Sequence, residues 1–195
     1  ATVWLDDYSL EKESNLNLTR RRNLPATLAI SNGVVAVTLN TSNATLAVLD
    51  RRTNQRLEQK PLKRDIVLLD ATATRDEIKL TVLHTASGLE IAGAIRLEPG
   101  TPEFTFELLA QGELPAACQF PHPFATKAGD YLVVPMNEGI SYPVEDETIE
   151  NFRLIAYGGH GICMGFWGAT DGMRGHGVII DTPDDAAIRI DRVEG

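Results

Sequence analysis

Carboxylates and histidines are the residues in this sequence that could perform acid–base chemistry, and most of the candidates lie in its second half. Glu138 follows an apolar run, Asp171 precedes a glycine, and His160 and His176 have glycine neighbours. Glycoside hydrolysis needs two carboxyl groups at a fixed separation, whereas sugar epimerisation needs an acid and a base on opposite sides of the anomeric carbon. No motif in the sequence joins these residues into such a pair. We therefore expect no catalytic residues in this chain.

Motifs for other kinds of enzyme chemistry are also absent from the sequence. It contains no GxSxG nucleophile elbow, HExxH helix, P-loop or GxGxxG dinucleotide turn. The run from Gly158 to Gly161 is rich in glycine, but a strand pattern follows it, whereas phosphate capture uses the N-terminus of a following helix. The histidines lack metal-ligand spacing, and so do Cys118 and Cys163, which we interpret as buried thiols in preference to a disulfide. We expect no cofactor and no metal site.

Aromatic residues near the polar groups suggest sugar binding. Trp167 and Tyr142 offer ring faces on which a sugar could stack, although an aromatic residue in an apolar strand more often packs in the core. The segments Glu138 to Tyr142 and Trp167 to His176 combine glycine turns, polar groups and aromatics, a mixture typical of an interface. We predict that these loops form one contact surface, with the following carbohydrate-binding or interface residues: Glu138, Tyr142, His160, Trp167, Asp171 and His176.

Composition and charge narrow the class of partner. The 195 residues are 43% hydrophobic and 23% charged, an ordinary balance for a packed protein. The formal charge of -9 disfavours nucleic acid and anionic membrane surfaces, because binding to both depends on basic residues. No apolar run approaches the roughly 18 residues that cross a bilayer, and the N-terminus has no signal-peptide pattern. We expect no nucleic acid and no membrane partner, and we interpret the chain as a mature or excised fragment.

Alternation of apolar and polar residues predicts the elements that must position these groups. Ile78, Leu80 and Val82 share one face of a strand, and the same period-2 pattern resumes after Ser87-Gly88 and again after Pro99-Gly100. Residues 76 to 110 are therefore predicted to form an antiparallel meander with one solvated face. Phe106 faces inward in this meander, so Phe106→Ala should destabilise the fold by about 3 to 5 kcal/mol.

The rest of the chain also predicts strands. Asn32-Gly33 predicts a tight hairpin between residues 26–31 and 34–40. Further strands are predicted at 45–50, near Leu57, and at 65–72, 131–134, 152–157, 162–168, 175–181 and 186–191. About a dozen strands exceed the seven to nine of an immunoglobulin-type sandwich. The sequence thus predicts an all-β, large two-sheet antiparallel sandwich that forms a single domain over residues 1–195, because no linker separates two cores.

Three segments of the second half resemble one family of enzymes. The runs YLVVPMNEGISYP at 131–143, GICMGFWGATDG at 161–172 and VIIDTPDDA at 178–186 are similar to the sandwich domain that precedes the catalytic barrel in glycoside hydrolases related to endo-α-N-acetylgalactosaminidases. The resemblance implies a galactose-mutarotase-like supersandwich, with the nucleophile and acid/base on a (β/α)8 barrel of the same polypeptide. It also implies a glycan partner and a secreted or periplasmic location.

Two further hypotheses stay open. An autonomous aldose-epimerase-like enzyme would use His122 or His160 with Glu138 as its acid and base. An independent carbohydrate-binding module would use Trp167 and Tyr142 as stacking platforms. The resemblance and the missing catalytic constellation together favour a third interpretation. In that interpretation the chain is a non-catalytic N-terminal sandwich domain of a glycoside hydrolase, inactive alone, which supports the barrel and contacts glycan.

Overall fold

The described part of the chain is all β, with antiparallel sheets and almost no helix, as the sequence predicts. A computed structural model describes residues 20–61, 65–114, 117–136, 139–148, 152–155, 164–182, 184 and 186–190. The chain divides into two compact units, Ala1–Ala125 and Thr126–Gly195. The strands are β1 (Thr27–Ser31), β2 (Val35–Asn40), β3 (Leu46–Asp50), β4 (Gln55–Glu58), β5 (Ile66–Ala73), β6 (Glu77–His84), β7 (Leu89–Leu97), β8 (Phe104–Ala110), β9 (Tyr131–Val134), β10 (Ile140–Pro143), β11 (Phe152–Ile155), β12 (Phe166–Thr170), β13 (Gly175–Ile179) and β14 (Ala187–Ile190).

The first unit contains two four-stranded sheets that share one core. One sheet has the order β1-β2-β3-β4 and the other β5-β6-β7-β8. Val37 and Leu39 of the first sheet and Ile78, Val82 and Ile95 of the second are all 0% exposed and belong to the same hydrophobic cluster. Every second residue of these strands enters the cluster because successive side chains of a strand point to opposite faces.

The predicted meander is confirmed over β6, β7 and β8. Ile78 pairs with Ile95, and Ile95 pairs in turn with Phe106. On the solvated face Arg96 of β7 links the strands on both sides. Its Nε donates to Glu77 Oε1 at 2.7 Å and its Nη1 to Glu107 Oε2 at 2.6 Å. Opposite charges therefore line up across three strands on the side where the alternation places polar residues.

The predicted β1–β2 hairpin is also confirmed, with its turn one residue later than Asn32-Gly33. Asn32 N donates to Val35 O at 3.2 Å, so the two central residues are Gly33 and Val34. Only Gly33 of these has a positive φ, at 90°, a backbone conformation that glycine adopts readily. The Asn32 side chain stabilises the turn because its Oδ1 accepts from Val34 N at 3.0 Å and from Val35 N at 2.9 Å.

The second unit contains a four-stranded sheet of order β10-β9-β12-β13 and a two-stranded pair, β11-β14. Val134 of β9 and Ile188 of β14 form its core, with Leu132, Trp167 and Ile180 packed against them. Strand β10 lies where the sequence predicts a loop. Its four residues, ISYP, are too short to show an alternation, and its backbone instead follows its pairing with β9, where Tyr142 lies opposite Leu132.

Candidate functional site

Tyr142, Trp167 and His176 lie on one face of the sheet in the second unit. Tyr142 pairs with Leu132, Leu132 with Ala169 and Ala169 with His176, so this row crosses all four strands. Trp167 lies two residues before Ala169 and therefore shares the same face. The two predicted segments do come together. Trp167 and His176 lie in β12 and β13, close to the strands predicted at 162–168 and 175–181, whereas Tyr142 lies in β10, where the sequence predicts a loop.

This face is the packed side of the sheet. Trp167 contacts the core formed by Val134 and Ile188. The ring of His176 lies edge-on to that of Trp167, with centroids 6.0 Å apart and an interplanar angle of 82°. Burial lowers the pKa of His176, and the negative charge of Asp130 opposes this in part. His176 is half-buried, and its lowered pKa keeps it neutral near pH 7. Its contact with Trp167 is a packing contact.

Asp171 lies in the turn between β12 and β13. Its Oδ1 accepts from Met173 N at 2.9 Å and from Arg174 N at 2.7 Å. These two hydrogen bonds lower the pKa of the Asp171 carboxyl, so it stays ionised. The carboxylate holds the turn together next to Gly172, whose φ is 88°. This geometry explains Asp171 as a turn-forming residue.

Two other predicted site residues, Glu138 and His160, lie outside the described residues, and so does Cys163. Cys118 is a free, half-buried thiol whose pKa is raised to about 11 by burial and by the charge of Asp65. His122, the alternative epimerase residue, is 4% exposed and packs edge-on against Phe120, with ring centroids 5.7 Å apart. A substrate therefore has little access to the His122 ring.

The opposite, outward face of the same sheet carries a feature that the sequence analysis missed. Val133 pairs with Gly168, and Gly168 with Gly177, so one row across β9, β12 and β13 has side-chain atoms only at Val133. Two residues away from Gly168 on either side, Phe166 and Thr170 stand on the same face. Together they bound an open depression of about 300 Å³. In the sequence, the glycines at alternate positions of GHGV, Gly175 and Gly177, are the feature that could have predicted this depression.

Exposed apolar residues flank this depression. Tyr131 of β9 pairs with Thr170 and is 41% exposed, and Ile179 of β13 pairs with Phe166 and is 77% exposed. None of the residues that line the depression carries a formal charge when its histidine, His176, is neutral. The outward face is therefore neutral and partly aromatic.

Backbone polar groups lie along one side of the depression, at β13. Ile180 N donates to Gly165 O at 2.6 Å and Asp171 N to Arg174 O at 3.0 Å, which fixes the hydrogen-bonded pairs between β12 and β13. The pairs alternate in an antiparallel ladder, so His176 and Val178 bond to β12 while Gly175, Gly177 and Ile179 direct their N–H and C=O groups away from it. Strand β13 is the last of its sheet in the described part of the chain. These groups therefore point out of that edge, where no described strand pairs with them.

The described residues include no group of three or more His, Cys, Asp or Glu side chains that could hold a metal ion. Within the same residues, no helix has the length and apolar character needed to cross a membrane. Comparisons of the sequence with known protein families and with curated proteins give no match.

Proposed function

We propose that this chain is a non-catalytic sandwich domain of a glycoside hydrolase, which supports the catalytic barrel of the same polypeptide and contacts glycan through its second unit. The observation that carries the proposal is where the family-like segments lie. YLVVPMNEGISYP supplies β9 and β10, the end of GICMGFWGATDG supplies β12, and VIIDTPDDA begins in β13. These separate pieces of sequence build one sheet, whose outward face is neutral, aromatic and open.

The roles of the described candidates agree with a binding function better than with catalysis. Asp171 is engaged in its own turn, His176 packs on Trp167, and His122 is buried in the first unit. Glycosidic cleavage requires an acid and a second carboxylate held on either side of the bond. A neutral depression with backbone polar groups suits an uncharged sugar, and none of the residues that line it has a carboxyl group that could protonate a glycosidic oxygen.

Affinity electrophoresis and a hydrolysis assay test the proposal together. The purified chain should be retarded in gels that contain a neutral polysaccharide, and it should release no phenol from a panel of aryl glycosides. Turnover that disappears in Glu138→Gln or Asp171→Asn would contradict the non-catalytic role. Acceleration of aldose mutarotation, followed by polarimetry and lost in His122→Gln or His160→Gln, would instead support the epimerase alternative.

A further inference from the structure

We propose that the depression between Phe166 and Thr170, on the outward face of β9, β12 and β13, is a binding site for a single neutral pyranose ring. This inference rests on the proposed function and gives it a location and a ligand class. It places the sugar against the face that carries Phe166 and Thr170. Trp167 and His176, which the sequence singled out, also line the depression, although their side chains belong to the packed face. Gly177 is the residue that indicates a binding site and not only a gap in the packing.

The fold does not require glycine at position 177. A Cβ atom built on Gly177 would meet nothing within 4 Å, and its φ is not in the positive range. Gly168, directly opposite, differs because its Cβ would come within 2.5 Å of the His176 carbonyl oxygen. A glycine inside a strand costs about 0.5 to 1 kcal/mol relative to alanine. Packing explains Gly168, whereas the bare surface at Gly177 is explained by a ligand that occupies that space.

The size and walls of the depression fit one ring. Small-molecule sites range from roughly 300 to 1,000 Å³, and a volume of about 300 Å³ lies at the lower end. Phe166 offers an aromatic wall to the apolar C–H face of a pyranose. Gly177 is exposed and has no side chain, so the ring can lie directly against the backbone of β13.

Hydrogen-bond partners for the sugar hydroxyls lie at the β13 edge. The N–H and C=O groups of Gly175 and Gly177 point out of the β13 edge, and each hydroxyl can both donate and accept. The uncharged lining and the net charge of -9 disfavour acidic sugars. The ligand class is therefore a neutral hexose or N-acetylhexosamine.

Amide NMR titration of the whole 195-residue chain tests the site. The probes are the methyl glycosides of galactose, glucose and mannose, N-acetylgalactosamine, N-acetylglucosamine and, as a charged comparison, glucuronate. We expect at least one neutral sugar to shift the amides of Gly168, Gly175 and Gly177, and glucuronate to leave them unchanged. Gly177→Val fills the depression and should weaken binding by roughly tenfold or more, which corresponds to about 1.4 kcal/mol or more.

The valine variant should remain folded, because position 177 has room for a side chain and valine favours strands. Its thermal unfolding checks this. Leu109→Val is the matched control, since Leu109 is 67% exposed in β8 of the first unit and its substitution should leave sugar binding unchanged.

Sugar binding that persists in Gly177→Val overturns this site and leaves the proposed function standing. Retardation by polysaccharide with no monosaccharide shift overturns the single-ring site, and loss of both signals overturns the site and the function together.

Discussion

Phe106 illustrates how the position of a residue in a sheet sets the effect of losing its side chain. It faces the core as predicted and lies edge-on to Phe120, with centroids 5.3 Å apart. Its strand, β8, lies at the end of the order β5-β6-β7-β8, and Phe106 keeps partial exposure. We therefore expect Phe106→Ala to lower the free energy of unfolding by about 3 kcal/mol, the lower end of the range for buried phenylalanine.

Urea denaturation measures this loss, with Leu109→Ala as the control in the same strand. Leu109 points to the other face and is 67% exposed, so its truncation should change stability by no more than about 0.5 kcal/mol. Equal midpoints for the two variants would show that the faces of β8 are reversed.

The β1–β2 hairpin and the β13 strand give a comparison of two glycines at the scale of elements. Gly33 has a φ of 90°, and Gly177 has no such constraint. Alanine at a positive φ is strained, so we expect Gly33→Ala to destabilise the protein by about 1 to 2 kcal/mol. Gly177→Ala should be neutral or stabilising by up to about 1 kcal/mol. Thermal unfolding of both variants tests this, and a stable Gly33→Ala protein would contradict the assigned turn.

The same elements show what the sequence could predict. The β6–β8 meander was predictable because Ile78, Leu80 and Val82 alternate regularly with polar residues and the connecting turns are local. β10 was not predictable, because its conformation depends on pairing with β9. The glycine-floored depression depends on the register of the β12–β13 hairpin, which sets Gly168 opposite Gly177, and on the pairing of Gly168 with Val133 of β9. The pairing with β9 joins segments that no short window of sequence contains. Local patterns thus revealed the strands, while the candidate site arises from long-range pairing.

At the scale of the whole molecule, each unit contains a histidine that is held neutral by burial. His122 lies in the first unit and His176 in the second, and desolvation lowers the pKa of both from the ordinary value of 6.5. Two carboxyls with lowered pKa, Asp50 and Asp171, affect stability only at lower pH. For Asp50, the hydrogen bond from Arg52 lowers the pKa to about 2, so the contribution of Asp50 to the free energy of unfolding is lost only in strong acid.

We therefore expect both units to lose stability as the pH falls below about 6.5, well before the carboxyls titrate. Once unfolded, each histidine binds a proton at its ordinary pKa of about 6.5, whereas the folded protein binds it only at a lower pH. The unfolded state thus carries more protons in this window, and the free energy of unfolding must decrease with decreasing pH until the folded pKa values are passed.

Urea denaturation at a series of pH values from about 7.5 to about 5 measures the slope of this decrease. The single variants His122→Gln and His176→Gln should each reduce it, and the double variant should reduce it further. An unchanged slope in the double variant would show that other groups set the acid stability of this protein.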